Sequence, residues 1–175
     1  MTIIRHERPA DVDAREALLD QAFGETRARK ASERLREGRL PAEGLAFIAA
    51  DGKRVVGTAR LWNIACESGE AALLLGPVAV AEDYRNRGIG GALVRRALRE
   101  ARRRAHGAVV LVGDAPYYSR FGFSAGKAGA LSMPGPFERH RLLVRELKAG
   151  ALDGARGLLR PMGQMTDSAE SAIAA

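Results

Sequence analysis

The chain has 175 residues, 46% of them hydrophobic and 28% charged, and a net charge of +7. That length suits one domain with a real core, and the balance argues against disorder of the whole chain. The charged N-terminus MTIIRHERPADVDARE is unlike a secretory signal, AALLLGPVAVA at 71–81 is too short to span a bilayer, and the lone Cys66 excludes an internal disulfide, so a cytoplasmic protein with no membrane partner is expected.

Thr2 to Arg5 reads as a first strand. Asp11 can cap a helix running to Phe23, with Val12, Ala14, Leu18, Leu19 and Ala22 near helical spacing and Gly24 as its stop. A more charged helix is expected over Thr26 to Glu37. Leu45 to Ala50 and Val55 to Trp62 flank Asp51-Gly52, a hairpin signal because Gly tolerates positive φ. Asn63 to Gly69 is polar enough for a turn, and Ala71 to Val80 forms a long apolar strand that suits burial on both faces. The run 88–104 follows as a helix with the stripe Ile89, Leu93, Val94, Ala97, Leu98 and Ala101. Ala108 to Val112 is a short apolar strand, Pro116 to Arg120 a short helix, 124–138 a Gly- and Pro-rich loop, and Arg141 to Leu147 a last strand. Residues 149–175 lack periodicity and read as an appendage or loose tail after a domain at 1–148. Strand 71–80, helix 88–104 and strand 108–112 make a βαβ unit with parallel strands, so a mixed α/β sheet with helices on both faces is predicted.

YRNRGIGGAL at 84–93 places Gly88, Gly90 and Gly91 in the first turn of the helix, where each costs about 1 kcal/mol relative to Ala. The N–H groups of a first turn lack internal partners and favour an anion, and glycines let a phosphate approach closely. Gly91-Ala92 is not the Lys-Ser/Thr of a P-loop. Leu93 stands where a dinucleotide fingerprint wants its third glycine, and the polar segment 81–87 separates strand from glycines. The arginines at 85–104 are not interleaved with aromatics, so no nucleic-acid partner is expected. His6, His106, His140 and Cys66 have no ligand spacing, so no metal is expected either.

LGPVAVAEDYRNRGIGGAL resembles the pyrophosphate-binding signature of the GNAT superfamily of N-acetyltransferases, with Arg85, Gly88 and Gly90 on its fixed positions. YYSRFGF at 117–123 resembles a second element of that family through Tyr118, Gly122 and Phe123, and the likeness covers roughly residues 2 to 148. The resemblance implies a mixed, mostly antiparallel sheet with one splayed parallel pair, here 71–80 and 108–112. It implies acetyl-CoA as co-substrate, with Val78, Ala79 and Val80 pairing with the pantetheine arm. Backbone N–H groups around Arg85, Asn86, Arg87, Gly88, Ile89, Gly90 and Gly91 would then hold the pyrophosphate, and some helix arginines the 3′-phosphate. It assigns the oxyanion donor to the N–H of Val78 and the proton donor for the leaving thiolate to Tyr118, with Tyr117 as competitor.

The expected activity is acetyl transfer to an amine of a small molecule or peptide by direct attack; a homodimer is left open. No ionisable group stands on Leu73, Leu74, Leu75 or Gly76, where some members of the family carry a base. Asp114, Glu25 and Glu67 are the candidates elsewhere, and MPGPF at 133–137 can border the acceptor pocket. The missing strand base keeps a second reading open, a non-catalytic acyl-CoA-binding or regulatory module on the same fold.

Overall fold

The first strand, Thr2–His6 (β1), lies antiparallel to Ala46–Asp51 (β2), which turns through Asp51-Gly52 into the long strand Arg54–Ala65 (β3). Gly52 takes φ +57°, the conformation that the hairpin signal called for. The computed structural model describes residues 1–169. β3 continues through Asn63, where a turn was expected, because Ala71–Leu75 (β4) pairs with it as far as Ala65.

The expected strand 71–80 is broken. β4 pairs Leu75 with Leu61, while Ala79–Val80 (β5) pairs Ala79 with Thr58, so the Gly76-Pro77 step carries an extra residue relative to β3. Pro77 has no N–H for a ladder. β4 is also parallel to Ala108–Val112 (β6) at Leu73 and Leu74, and β6 is antiparallel to Leu142–Glu146 (β8). The order β1-β2-β3-β4-β6-β8 is therefore mixed and mostly antiparallel, with one parallel pair.

Side-chain alternation sorts the covering elements. Ala59, Leu61, Leu73 and Val109 belong to the cluster that takes Leu93, Val94 and Ala97 of Ile89–Arg103 (α2). Gly57 lies against that helix too: a Cβ there would meet Leu93 at 2.9 Å. Trp62, Ile64, Leu74 and Val110 supply the other face. Arg60, in phase with Trp62, meets Glu7, which also holds Arg15 of Val12–Phe23 (α1). Helices thus lie on both faces.

Three expectations change. Asp11 precedes α1 but does not cap it; its carboxylate takes Arg5 at 2.7 and 2.9 Å and the N–H of Arg8 at 2.7 Å. The Arg5 guanidinium is the main reason that carboxylate is held down to about 2. The helix expected over 26–37 is two 3₁₀ segments, Gly24–Arg29 and Ala31–Leu35, separated by Lys30 in an extended conformation. Only Ala31 and Leu35 of those two segments are buried, too little apolar surface to order a regular helix.

The third change concerns the tail. Residues 149–161 are built into the fold: Leu152, Ala155 and Leu159 are buried, Gly157–Leu158 (β9) pairs with Leu131–Ser132 (β7), and Arg160–Pro161 (β10) pairs with β3 at Ala65 and Ile64. These three apolar positions are too few and too unevenly spaced to give a periodic signal. Of the expected tail, residues 170–175 lie outside the described residues.

Candidate active site

The N-terminus of α2 is built for close approach. Asn86 and Gly88 both have positive φ, +62° and +78°, so successive N–H groups turn toward one concavity. No backbone N–H from Asn86 to Gly91 has a partner among the described residues, and a Cβ added at Gly88 would meet nothing within 4 Å. The neighbouring side chains are otherwise engaged. Arg85 donates to the carbonyl of Val80 at 3.3 Å, and Arg87 donates to that of Asp83 at 2.8 Å and stacks on Tyr84. What faces an anion here is backbone more than guanidinium.

β5 leads into this turn. One edge of Ala79–Val80 pairs with β3, and the other is unpaired, since β6 bonds to β4 and β8 and not to β5. The N–H of Val78 has no partner among the described residues. Val78 also lines a cavity of 580 Å³ that opens where β4 and β6 part, bounded by Gly76, Pro77, Val112, Gly113 and Tyr118.

Tyr118 and Tyr117 stand on the short helix Ala115–Ser119 (α3), which Asp114 caps by accepting from the Tyr117 N–H at 3.0 Å. The two rings meet edge to face at 5.0 Å and diverge in destination. Tyr117 turns its hydroxyl to Gly90, where a Cβ would sit 3.4 Å from it. Tyr118 lines the cavity that also holds Val78. Burial pushes the Tyr118 phenol up to about 12, with Tyr117 and Asp114 adding to the rise and Arg141 opposing it. Gly113 makes room for that ring, since a Cβ there would lie 2.6 Å from Tyr118 Cε2.

Asp114 lines the cavity, whereas Glu25 and Glu67 do not; Glu67 instead accepts from the N–H of Leu158 at 3.0 Å. Pro136 and Phe137 form one wall, which puts the end of the MPGPF segment at the cavity. No sequence signal pointed to Lys30, Arg36, Gly113 or Arg141, which come to the same cavity from three separate stretches of the chain. A second cavity, of 440 Å³, is lined by Arg95, Arg99, Arg102, Arg120 and Arg145. Arg95 connects it to the glycine turn: its guanidinium stacks on Phe121 at 5.1 Å and lies 3.2 Å from where a Cβ of Gly91 would stand. Among the described residues no group of His, Cys, Asp or Glu is placed to hold a metal, and no helix is long and apolar enough to cross a membrane.

Residues 42–125 match the family model described as an acetyltransferase (GNAT) domain. The chain is 30% identical over 158 residues to the uncharacterized N-acetyltransferase YhbS of Escherichia coli (strain K12), covering 90% of this chain and 94% of that protein. The crystal structure of Escherichia coli YhbS in complex with CoA superposes with a TM-score of 0.78 at 30% identity, over 92% of this chain and 89% of that one. A GNAT family acetyltransferase from Brucella melitensis in complex with acetyl-CoA gives a TM-score of 0.61 at 25% identity, over 95% and 94% of the two chains.

Proposed function

The chain belongs to the GNAT family of N-acetyltransferases and is an acyltransferase, and from that premise we propose that it moves an acetyl group from acetyl-CoA to the amine of a small molecule or peptide by direct attack. The observation that carries the reading is the run of unpartnered N–H groups from Asn86 to Gly91 beside the free edge of β5. That cradle fits a pyrophosphate, and the open edge at Val78, Ala79 and Val80 fits an amide-bearing arm laid alongside as an added strand. The arginine-lined cavity between α2, the turn 120–122 and the end of β8 suits the 3′-phosphate.

Acetyl-CoA supplies the activated acyl group as a thioester. The chain's contribution is placement and charge. The free N–H of Val78 faces an oxygen that gains charge during attack, and a fixed donor of this kind is worth about 3 kcal/mol. Tyr118 keeps its proton at neutral pH and is the donor to the departing sulfur. The same burial that lifts the phenol also disfavours a bare thiolate, so both partners of that transfer shift in one direction. Of the two carboxylates that line the cavity, Asp114 takes the amine's proton, directly or through water, while Glu138 is turned to His140.

The transfer unit is residues 1–148, buttressed by 149–161, and the setting is cytoplasmic, where Cys66 stays reduced. Titration of acetyl-CoA by calorimetry, with NAD as comparison, tests the reading. One-site binding of acetyl-CoA with NAD silent, followed by acceptor-dependent release of CoA over an amine panel, is expected. Binding with no turnover on any amine would favour the acyl-CoA-binding module, and no binding would remove both.

A further inference from the structure

The cavity that holds Val78 and Tyr118 is also lined by cations in a way that acetyl transfer alone does not require. Arg36 is 7% exposed. Its Nε and Nη2 are taken by Glu33 Oε2 at 3.2 and 3.1 Å, and Nη2 also reaches Ser32 Oγ at 3.3 Å. Nη1 has no partner among the described residues and lies 3.2 Å from where a Cβ of Gly76 would stand, two residues before Val78. Lys30 packs on the Phe23 ring at 4.4 Å and forms no ion pair with any described residue. Arg141 is likewise without an acidic partner among them.

The other charges facing the cavity do not cancel this set. Arg27 is committed to Glu16 and Asp20. Glu138 is 65% exposed and turned to His140 at 3.4 Å. Asp114 gives one oxygen to the cap of α3 and is a single charge against Arg36, Lys30 and Arg141. Burial first, and then the charges of Arg36 and Arg141, push the Lys30 ammonium down. A buried arginine with an open nitrogen beside two uncommitted cations is a seat for an oxyacid anion.

We propose that the acceptor is a small amine that also carries an anionic oxyacid group, a carboxylate or a phosphate, and that Arg36, Lys30 and Arg141 bind this group while the amine points toward Val78 and Tyr118. The inference rests on the acetyl-transfer reading above. Phe23 and Phe137 flank the seat and enclose the carbon skeleton between anion and amine. The same cations disfavour an ammonium in the cavity and so lower the cost of presenting the amine in its neutral, nucleophilic form.

The test uses the full chain with saturating acetyl-CoA and matched acceptors. L-amino acids are compared with their C-terminal amides, and O-phosphoethanolamine with ethanolamine. The anionic member of a pair is expected to exceed its neutral partner in kcat/KM by about 10-fold or more, and the pair that shows it distinguishes carboxylate from phosphate. Arg141→Gln and Lys30→Gln change exposed side chains and are expected to fold; each should shrink that ratio toward unity through KM while acetyl-CoA affinity by calorimetry is retained. Arg36→Gln should do so more strongly. Equal or better use of neutral acceptors, failure of every anionic member while acetyl-CoA binds, or a ratio untouched by Arg141→Gln would overturn the assignment. Loss of acetyl-CoA binding in the unmodified chain would instead strike the acetyl-transfer reading itself.

Discussion

A phenol donates a proton only while it holds one, and its surroundings decide how far up the pH scale that lasts. Tyr118 holds its proton to about 12 because its ring is packed between Gly113, Phe121 and Phe123. Replacing it by Phe keeps the packing and removes the donor, so kcat should fall by about 10²- to 10³-fold with acetyl-CoA affinity retained. The sign of the shift fixes the pH dependence: a pKa raised from 10 means the donor form persists across the alkaline range. The kcat profile of the unmodified enzyme should therefore show no descending limb from this residue below about pH 11. A limb near pH 9 that disappears in Tyr118→Phe would contradict the burial argument. Gly113 offers an independent handle. Its Cβ would stand 2.6 Å from the Tyr118 ring, so Gly113→Ala should displace the ring and lower kcat while leaving the glycine turn of α2 untouched. Acetyl-CoA titration of that variant separates displacement from misfolding.

At the scale of elements, α2 shows why its part of the site was legible. Its apolar stripe, its glycines and the strand before it are neighbours in the chain, and local spacing carries local structure. Gly88 sits at φ +78°, a left-handed conformation that costs an L-residue about 1–2 kcal/mol, and its missing Cβ faces open space. Gly88→Val should thus weaken acetyl-CoA binding far more than it lowers stability, because the added atoms occupy the anion's place. Arg85→Ala should weaken binding less, since that side chain already serves the Val80 carbonyl. Paired calorimetry and urea unfolding would check the ranking; a larger binding loss in Arg85→Ala would mean that guanidinium charge, not backbone N–H, holds the phosphate. The break between β4 and β5 had one local sign, the Gly76-Pro77 step inside the otherwise apolar ALLLGPVAV, whereas the extra residue shows only in the register against β3. The cationic wall was illegible for a stronger reason. Lys30 and Arg36 lie within the stretch 26–37, whose charged pattern reads as a helix, and Arg141 lies about a hundred residues further on, brought near only by the sheet order.

For the molecule as a whole, the two cores divide the labour. The cluster holding α2 supports the anion cradle, while the cluster on the opposite face joins Ala31 and Leu35 to Trp62, Leu74, Leu152 and Leu159. The segment bearing Lys30 and Arg36 therefore rests on residues contributed by the far end of the chain. Further ties run the same way, from the N–H of Leu40 to the carbonyl of Gln164 at 2.8 Å and from that of Thr166 to Gly38 at 2.9 Å. Leu159 is fully buried between β9 and β10, so Leu159→Ala should cost about 2–5 kcal/mol, a large share of a typical domain's stability of about 5–15 kcal/mol. A detached tail would instead give a change near zero in the urea midpoint. Because the cavity left behind opens beneath the acceptor wall and not beneath α2, the folded fraction of this variant should bind acetyl-CoA with ordinary affinity and show a raised KM for its acceptor. Equal weakening of both ligands would mean that the two cores act as one unit, and that the C-terminal segment supports the fold without shaping the acceptor side.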